Sequence, residues 1–467
     1  MGATLMAISY AEALAFIHER SGYDRGFISN PFAGDDAARL GLIRTERVLE
    51  ALGRPDRSYP ILHVAGSKGK GSTSSIAAGM LSASGLTTGR FLSPHLHRFN
   101  ERFAVNGRPI DDDAFARAVE VVREAALGVE HDSPEIGQLT AWELSTAIAL
   151  EWFKVAACDA VVLEVGMGGT LDATNVVLPV ASLITRLDLE HTAILGSTIS
   201  EIAANKAGII KPGVPAFSVN QLSDAMQVIV ERAREVNSPL QIAGRDWEAT
   251  GTSDDFTFRS HDLTLDHLAV TLHGRHQVEN AGLAIAALTT VGRTLPSLWV
   301  SEESIHSGLR SVSLAGRFEV VEIDEATTVV IDGAHTPASM TMLAEAIRER
   351  FPERSLLAII GMLADKSPRD VLSPLRGAVD MWTATAPASP RRLAVEDLAL
   401  SLRALGGRVL SSPSVAEALR AAIATHDPGN QPRTILVTGS LTTVAEARAA
   451  LGLPDDSAAS RLPGEIT

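Results

Sequence analysis

The sequence predicts an α/β protein made of two parallel-sheet domains, a larger one over residues 1–311 and a smaller one over residues 312–467. Three observations predict it. Short apolar runs recur, each ending at a glycine or an acidic residue and followed by a helical pattern, as parallel strands covered on both faces require. One of them, Ile61-Leu62-His63-Val64-Ala65, leads into a glycine-rich stretch and then a helix from Ser72 to Ser84. A second strand–helix series restarts beyond residue 320.

Each element has its own signal. Ser9-Tyr10-Ala11-Glu12 reads as a capping box, opening a helix with Ala13, Leu14, Phe16 and Ile17 on its apolar side. A second helix covers Asp36 to Leu52 and is stopped by Gly53, with Pro55 just beyond. Strands follow at 160–165, running into Gly166-Met167-Gly168-Gly169, and at 181–185, ending near Asp188. Residues 244–276 alternate instead, as in Phe256-Thr257-Phe258, and predict an antiparallel excursion. A helix from Gln277 to Val291 closes the first half, and the segment around 301–316 reads as the approach to a linker. Strands of the second domain are expected at 327–331, 356–360, 381–384 and 434–437. The polar tail from Asp455 to Thr467 is expected to fray.

Composition narrows the function. The 467 residues, 45% hydrophobic and 21% charged, are enough for two domains with sizeable cores. A net charge of −15 argues against non-specific nucleic-acid or anionic-membrane binding. An aromatic content of 4% leaves little for stacking on single-stranded nucleic acid. The single cysteine, Cys158, excludes an intramolecular disulfide, and its apolar neighbours predict a buried, inert thiol. No apolar run approaches the ~18 residues that span a bilayer. Glu12, His18, Glu19 and Arg20 stand where a signal peptide needs apolar residues. The expectation is a cytoplasmic, soluble monomer with small-molecule substrates and no nucleic-acid or membrane partner.

The chemistry concentrates at a few positions. Gly66, Ser67, Lys68, Gly69, Lys70, Gly71 and Ser72 lie between an apolar strand and a helix, where backbone amides and a helix N-terminus cradle phosphates. Lys70 supplies positive charge there and the Ser72 hydroxyl is placed for Mg²⁺, although Gly71 separates the two and departs from GxxxxGK[ST]. Glu164 ends a buried strand, a costly place unless it is ion-paired or metal-bound; both readings stay open. His191 follows the next strand and is either a satisfied core histidine or a ligand. With hydroxyls such as those of Ser72 and Ser93, these two would suit a Mg²⁺ site that keeps waters and binds substrate phosphates. Lys206 shares a helix face with Ile199, Ile202 and Ala203. It either snorkels near the helix end or is desolvated, partly neutral and open to modification.

At this point the residues carry a family. HVAGSKGKGST (63–73), FLSPHLHRFNERFAVNGRPI (91–110), LEVGMGGTLDATN (163–175), HTAILGSTISEIAANKAGIIKPG (191–213), HGRHQVENA (273–281), AGRFE (315–319), IDGAH (331–335) and VTGSL (437–441) run in family order. The chain resembles the folylpolyglutamate synthase/dihydrofolate synthase family of the Mur ligase superfamily. The resemblance implies a P-loop NTPase-like central domain followed by a Rossmann-like one. It implies an ATP-dependent ligase that phosphorylates the carboxylate of a folate or dihydropteroate and lets the amine of L-glutamate attack the acyl phosphate. It also implies Ser72, Ser93, Glu164 and His191 as Mg²⁺ ligands, directly or through water, and a carbamylated Lys206 that helps orient the ion. Asn280, Arg317 and Asp332 match nucleotide-contacting positions, with a surface arginine and a strand-end turn residue as the plainer alternatives for the last two. His335 and Ser440 match positions near the glutamate and the interdomain cleft, and Thr140, Trp142 and Asp172 match the pterin side. Three residues depart from the family pattern: Thr336 in place of asparagine, Trp142 in place of phenylalanine or tyrosine, and Thr170 in place of arginine. Two further readings are a ligase for a non-folate acidic acceptor and a P-loop ATPase without ligase activity.

Overall fold

A computed structural model describes residues 8–20, 35–425 and 432–453; the expected frayed tail lies outside the described residues. An eight-stranded sheet is formed by β1 (Ile61–Ala65), β2 (Thr88–Phe91), β3 (Phe103–Val105), β4 (Arg108–Pro109), β5 (Ala160–Glu164), β6 (Ala181–Ile184), β7 (Ala216–Ser218) and β8 (Leu240–Ile242), with β1, β5, β6 and β7 fully buried. Their order is β4-β3-β2-β5-β1-β6-β7-β8, parallel from β2 to β8, with β3 and β4 added antiparallel at one edge. Alternate residues of β1 feed two cores. Leu62 and Val64 pack with the helices Lys70–Ala83 and Arg275–Thr294, and Ile61 packs with the helices Asp112–Asp132 and Ala141–Val155. Both faces are therefore covered, as a parallel sheet requires.

The alternating segment forms a three-stranded antiparallel sheet, β9 (Trp247–Gly251), β10 (Phe256–Ser260) and β11 (Thr264–Leu268), which packs on the helix Arg275–Thr294. The second unit has a six-stranded sheet, β12 (Glu319–Glu322), β13 (Thr327–Ile331), β14 (Ser355–Gly361), β15 (Met381–Thr385), β16 (Arg408–Ser411) and β17 (Arg433–Thr438). Its order is β12-β13-β17-β14-β15-β16, parallel except for β12. The four expected strands are present. The two edge strands β12 and β16 escape a hydrophobic scan because their residues are only partly buried or exposed.

One expectation needs correcting. The segment read as a linker approach contains the helix Glu302–Ser311, seated on the phosphate-loop helix Lys70–Ala83. It buries Ile305 and Leu309 in the first core, and Gly308 lets the two helices approach closely: a Cβ there would stand 2.5 Å from the Cα of Met80. Val312, just beyond this helix, still packs in the first core. Cys158 is buried, and burial pushes its thiol pKa up to about 12, in keeping with the inert reading. No helix among the described residues is long and apolar enough to cross a membrane.

The close approach at Gly308 makes a stability prediction. Gly308→Ala forces two backbones apart and is expected to cost about 1–3 kcal/mol. Urea unfolding checks it, and an unchanged midpoint would refute the packing account.

Candidate active site at the carboxyl ends of two sheets

Four neighbouring strands, β2, β5, β1 and β6, end on one side of the first sheet, and the loops that leave them carry the candidate residues. Open α/β sheets place their sites in this position. Ser93 follows β2, Glu164 ends β5, the phosphate loop follows β1, and Glu190 and His191 follow β6. The loop between Gly66 and Ser72 is built around its glycines. Gly66 has φ +154°, and a Cβ on it would stand 1.8 Å from Thr185 Oγ1; Gly69 has φ +91°, and its Cβ would stand 2.4 Å from Asn280 Oδ1. Only glycine fits at either position. The amides of Ser67 and Lys68 donate to the Arg186 carbonyl, the Ser67 hydroxyl donates to the Asp188 carbonyl, and Ser72 is buried in the first turn of the helix.

Three lysines converge on this loop. Lys70 Nζ donates to the Gly66 carbonyl at 2.9 Å and Lys206 Nζ to the same oxygen at 2.7 Å. Glu190 bridges the set, with its carboxylate 3.0 Å from Lys206 Nζ and 3.2 Å from Lys68 Nζ. Lys206 is 1% exposed, so its amine does not snorkel out of the fold. Burial, reinforced by the Lys70 charge, lowers its pKa to about 8 against an opposing pull from Glu190. Burial raises the Glu190 pKa, but the Lys70, Lys206 and Lys68 charges outweigh it and hold the carboxylate at about 2. Glu190 escaped the sequence reading because nothing local marks it: its partners lie far away along the chain.

Glu164 is 3% exposed and accepts the Ser93 amide at 2.8 Å. Burial raises its pKa, opposed by the Lys70, Arg317 and Arg90 charges. Among the described residues no cluster of three His, Cys, Asp or Glu side chains is arranged to hold a metal ion. A buried carboxylate next to the Ser93 loop nevertheless fits Mg²⁺, which takes few protein ligands and keeps water. The carboxylate also faces the start of the phosphate-loop helix, since a Cβ at Gly71 would stand 3.8 Å from Glu164 Oε1. Ser93 and Glu164 are thus bonded, and Ser72 follows the glycine that Glu164 faces. His191 is exposed on the Glu190 side, in the field of Lys206, Lys70 and Lys68.

The second sheet presents its own strand ends. Asp332 and His335 follow β13, and Ser440 follows its neighbour β17. Asp332 accepts the amides of Phe318 and Ala334, both at 2.8 Å, and so ties the Arg317 loop to the end of β13. His335 Nδ1 lies 2.7 Å from the Gly333 carbonyl. Ser440 is buried and caps the helix Leu441–Ala450, its hydroxyl 2.8 Å from Thr443 Oγ1. Arg317 is not the plain surface partner of Glu319, which pairs with Arg448 instead. Its charge acts on both Glu164 and Asp332, one in each unit. Asn280 is buried beside Gly69 and donates to Gln277 Oε1 at 2.9 Å.

On the far side of Glu164, Thr140 caps the helix Ala141–Val155 in a capping box with Glu143. Trp142 stacks on Phe91 with ring centroids 5.3 Å apart and donates its Nε1–H to Asp172 at 3.1 Å.

A model of the Mur ligase middle domain matches residues 64–288, and one of the Mur ligase glutamate ligase domain matches residues 316–441. The dihydrofolate synthase/folylpolyglutamate synthase of Escherichia coli (strain K12) is 34% identical over 406 residues, covering 87% of this chain and 90% of the relative. The chain belongs to the folylpolyglutamate synthase/dihydrofolate synthase family. The folylpolyglutamate synthase of Lacticaseibacillus casei is 33% identical over 452 residues, 95% of this chain and 99% of the relative. Among solved structures, Mycobacterium tuberculosis folylpolyglutamate synthase complexed with ADP superposes with a TM-score of 0.83 at 28% identity, covering 95% of this chain and 98% of its own.

The departures from the family pattern have local physical accounts. Thr336 caps the helix Pro337–Arg350 by accepting the Ser339 amide, a role asparagine fills equally well. Thr170 uses its hydroxyl and amide to bind the Asn205 carbonyl at 2.9 and 2.8 Å, pinning the glycine-rich loop to the helix of Lys206.

A pH prediction follows from the buried amine. With its folded pKa at about 8 and an ordinary value of 10.5, Lys206 binds fewer protons in the folded than in the unfolded chain between those limits. Its contribution to stability therefore rises as pH increases from about 8 to about 10.5. In CO₂-depleted buffer, the gap in urea midpoint between the native chain and Lys206→Met should shift in favour of the native chain from pH 8 to pH 10. A gap independent of pH would contradict the shifted pKa.

Proposed function

We propose that this protein is an ATP-dependent ligase that adds L-glutamate to the carboxylate of a folate or dihydropteroate, releasing ADP and phosphate. One observation carries the reading: three lysines and a helix N-terminus gather at a glycine loop, and the Arg317 charge of the second unit reaches Glu164, which faces that loop. Such an arrangement suits phosphoryl transfer, where positioning and charge stabilisation supply most of the catalysis. The names of the relatives favour it over a ligase for a non-folate acceptor and over an ATPase without ligase activity.

In this reading the amides of Gly66 to Ser72, with Lys68 and Lys70, hold the nucleotide phosphates, and Asn280, Arg317 and Asp332 complete the nucleotide site. Ser72, Ser93, Glu164 and His191 would hold Mg²⁺, which supplies positive charge to the phosphates. The acceptor carboxylate attacks the γ-phosphorus and ADP leaves; the amine of glutamate then attacks the acyl carbon and phosphate leaves. Thr140, Trp142 and Asp172 bound the pterin, while His335 and Ser440 lie toward the glutamate. Carbamylation of Lys206 would turn a buried cation into an anion attracted to Lys70 and Lys68, at the loss of its ion pair with Glu190, and the lowered amine pKa favours the neutral form that CO₂ modifies. We place the domain division at 311/312 and expect a cytoplasmic monomer.

Phosphate release with ATP, Mg²⁺ and glutamate tests the activity. It should depend on added 7,8-dihydropteroate or tetrahydrofolate, and release that ignores both would sink the folate reading. With ¹³CO₂ in the buffer, a carbamate carbon should appear by NMR and vanish in Lys206→Ala, which should also lose at least about tenfold in rate. Full activity in that variant removes the role given to Lys206.

A further inference from the structure

His63 is the one imidazole in an otherwise apolar central strand, fully buried, on the same face of β1 as Ile61. Its Nε2 lies 2.9 Å from Thr174 Oγ1. The Thr174 hydroxyl in turn lies 2.5 Å from Asp172 Oδ1. Asp172 accepts three further donors: the Thr174 amide at 3.0 Å on the same oxygen, and the Met167 amide at 3.0 Å and the Trp142 indole N–H at 3.1 Å on the other. Burial raises the Asp172 pKa, and these four donors, three of them N–H groups that cannot accept, oppose that shift by stabilising the ionised form, so Asp172 is read as a carboxylate.

The direction of the chain follows. Thr174 has one hydroxyl proton, and Asp172 takes it. Thr174 Oγ1 must then accept from His63, which fixes the neutral tautomer with its proton on Nε2. Consistently, His63 Nδ1 is buried without a hydrogen-bond partner among the described residues, a lone pair being the cheaper group to leave there than an N–H. Burial, aided by the Lys211 charge, lowers the imidazole pKa to about 3, so no second proton competes for the site at neutral pH.

At the other end of the chain the indole of Trp142 is held on its faces and along its edge. Phe91 stacks on it with an interplanar angle of 26°, and Gly166 lies so close that a Cβ there would stand 2.4 Å from the ring. Packing leaves sliding within the ring plane, and the Nε1–H bond to Asp172 removes that freedom. The same carboxylate holds the Met167 amide, and with it the turn of the glycine-rich loop.

We propose that His63 and Thr174 are positioning residues for the acceptor substrate: by orienting the Asp172 carboxylate they set the indole of Trp142 and the Met167 turn, the wall against which the pterin lies. The inference rests on the proposed placing of the pterin by Trp142 and Asp172. It adds a strand residue, buried beneath that wall, as the origin of its geometry. An apolar residue would fill the strand as well and would leave Thr174 without its donor.

Two measurements test it, one without any acceptor. In protein labelled with ¹⁵N-histidine, His63 should show the neutral Nε2–H tautomer throughout pH 5–8. A proton on Nδ1, or titration near pH 6.5, overturns the relay whatever the enzyme's substrate. In the ligase assay, with whichever acceptor the native chain uses, His63→Leu and Thr174→Val should each raise the acceptor KM about tenfold, with the ATP KM within twofold of native. His63→Gln, whose amide can donate in place of Nε2, and Thr174→Ser should restore most of the loss. The double variant His63→Leu/Thr174→Val should be no worse than either single one, because both break the same chain. An unchanged acceptor KM refutes the proposal. So does a parallel loss of ATP KM and thermal stability that His63→Gln fails to mend, which marks His63 as packing only. If the native chain turns over neither pteroate nor folate, the ligase reading fails while the tautomer result still stands or falls by itself.

Discussion

Two ammonium groups on one carbonyl oxygen form the constraint around which the site is organised. Lys70 and Lys206 both donate to Gly66, and a third lysine, Lys68, shares the carboxylate of Glu190 with Lys206. Like charges this close repel, and burial strengthens the repulsion because solvent no longer screens it. Glu190 compensates part of the charge. The remainder is an electrostatic demand for an anion, and the chain meets −15 overall with a locally positive pocket. A negative net charge is thus compatible with small anionic ligands.

Strand order explains how residues so far apart in sequence meet. The crossover that sets β1 between β5 and β6 brings the phosphate loop, Glu164 and Glu190 to adjacent strand ends, and β2 adds Ser93 beside Glu164. Thr170 then couples the glycine-rich loop after β5 to the helix of Lys206. The second unit repeats the principle with Asp332, His335 and Ser440 at the ends of β13 and β17. Contacts such as His273 against Phe318 and Arg448 against His97 keep the two sets of strand ends facing one another. A reaction that joins two substrates needs such an arrangement, because holding both in register replaces a costly encounter in solution.

Much of this was legible beforehand, for identifiable reasons. The capping boxes at Ser9 and Thr198 and the positive-φ glycines of the phosphate loop act within a few residues, so local sequence displays them. Lys206 was conspicuous because helical periodicity put a charge on an apolar face, and the structure shows that face buried. The helix Glu302–Ser311 buries only two apolar side chains, Ile305 and Leu309, and its closest contact, at Gly308, adds no hydrophobic signal. Several candidates have a local structural duty: Ser440 and Thr140 cap helices, and Asp332 braces a turn.

The sequence alone determined the α/β class, the phosphate loop, a lysine on an apolar helix face and the family, since each is written in short patterns or in motifs kept in order. Tertiary structure decided the partners: that Lys206 reaches Gly66, 140 residues away, that Glu190 is its counter-charge, and that His63 lies at the root of the Trp142 wall. Periodicity and capping depend on neighbours within a turn or two of the chain. A hydrogen bond between distant residues depends on which strand ends the topology sets side by side, and no local pattern encodes that.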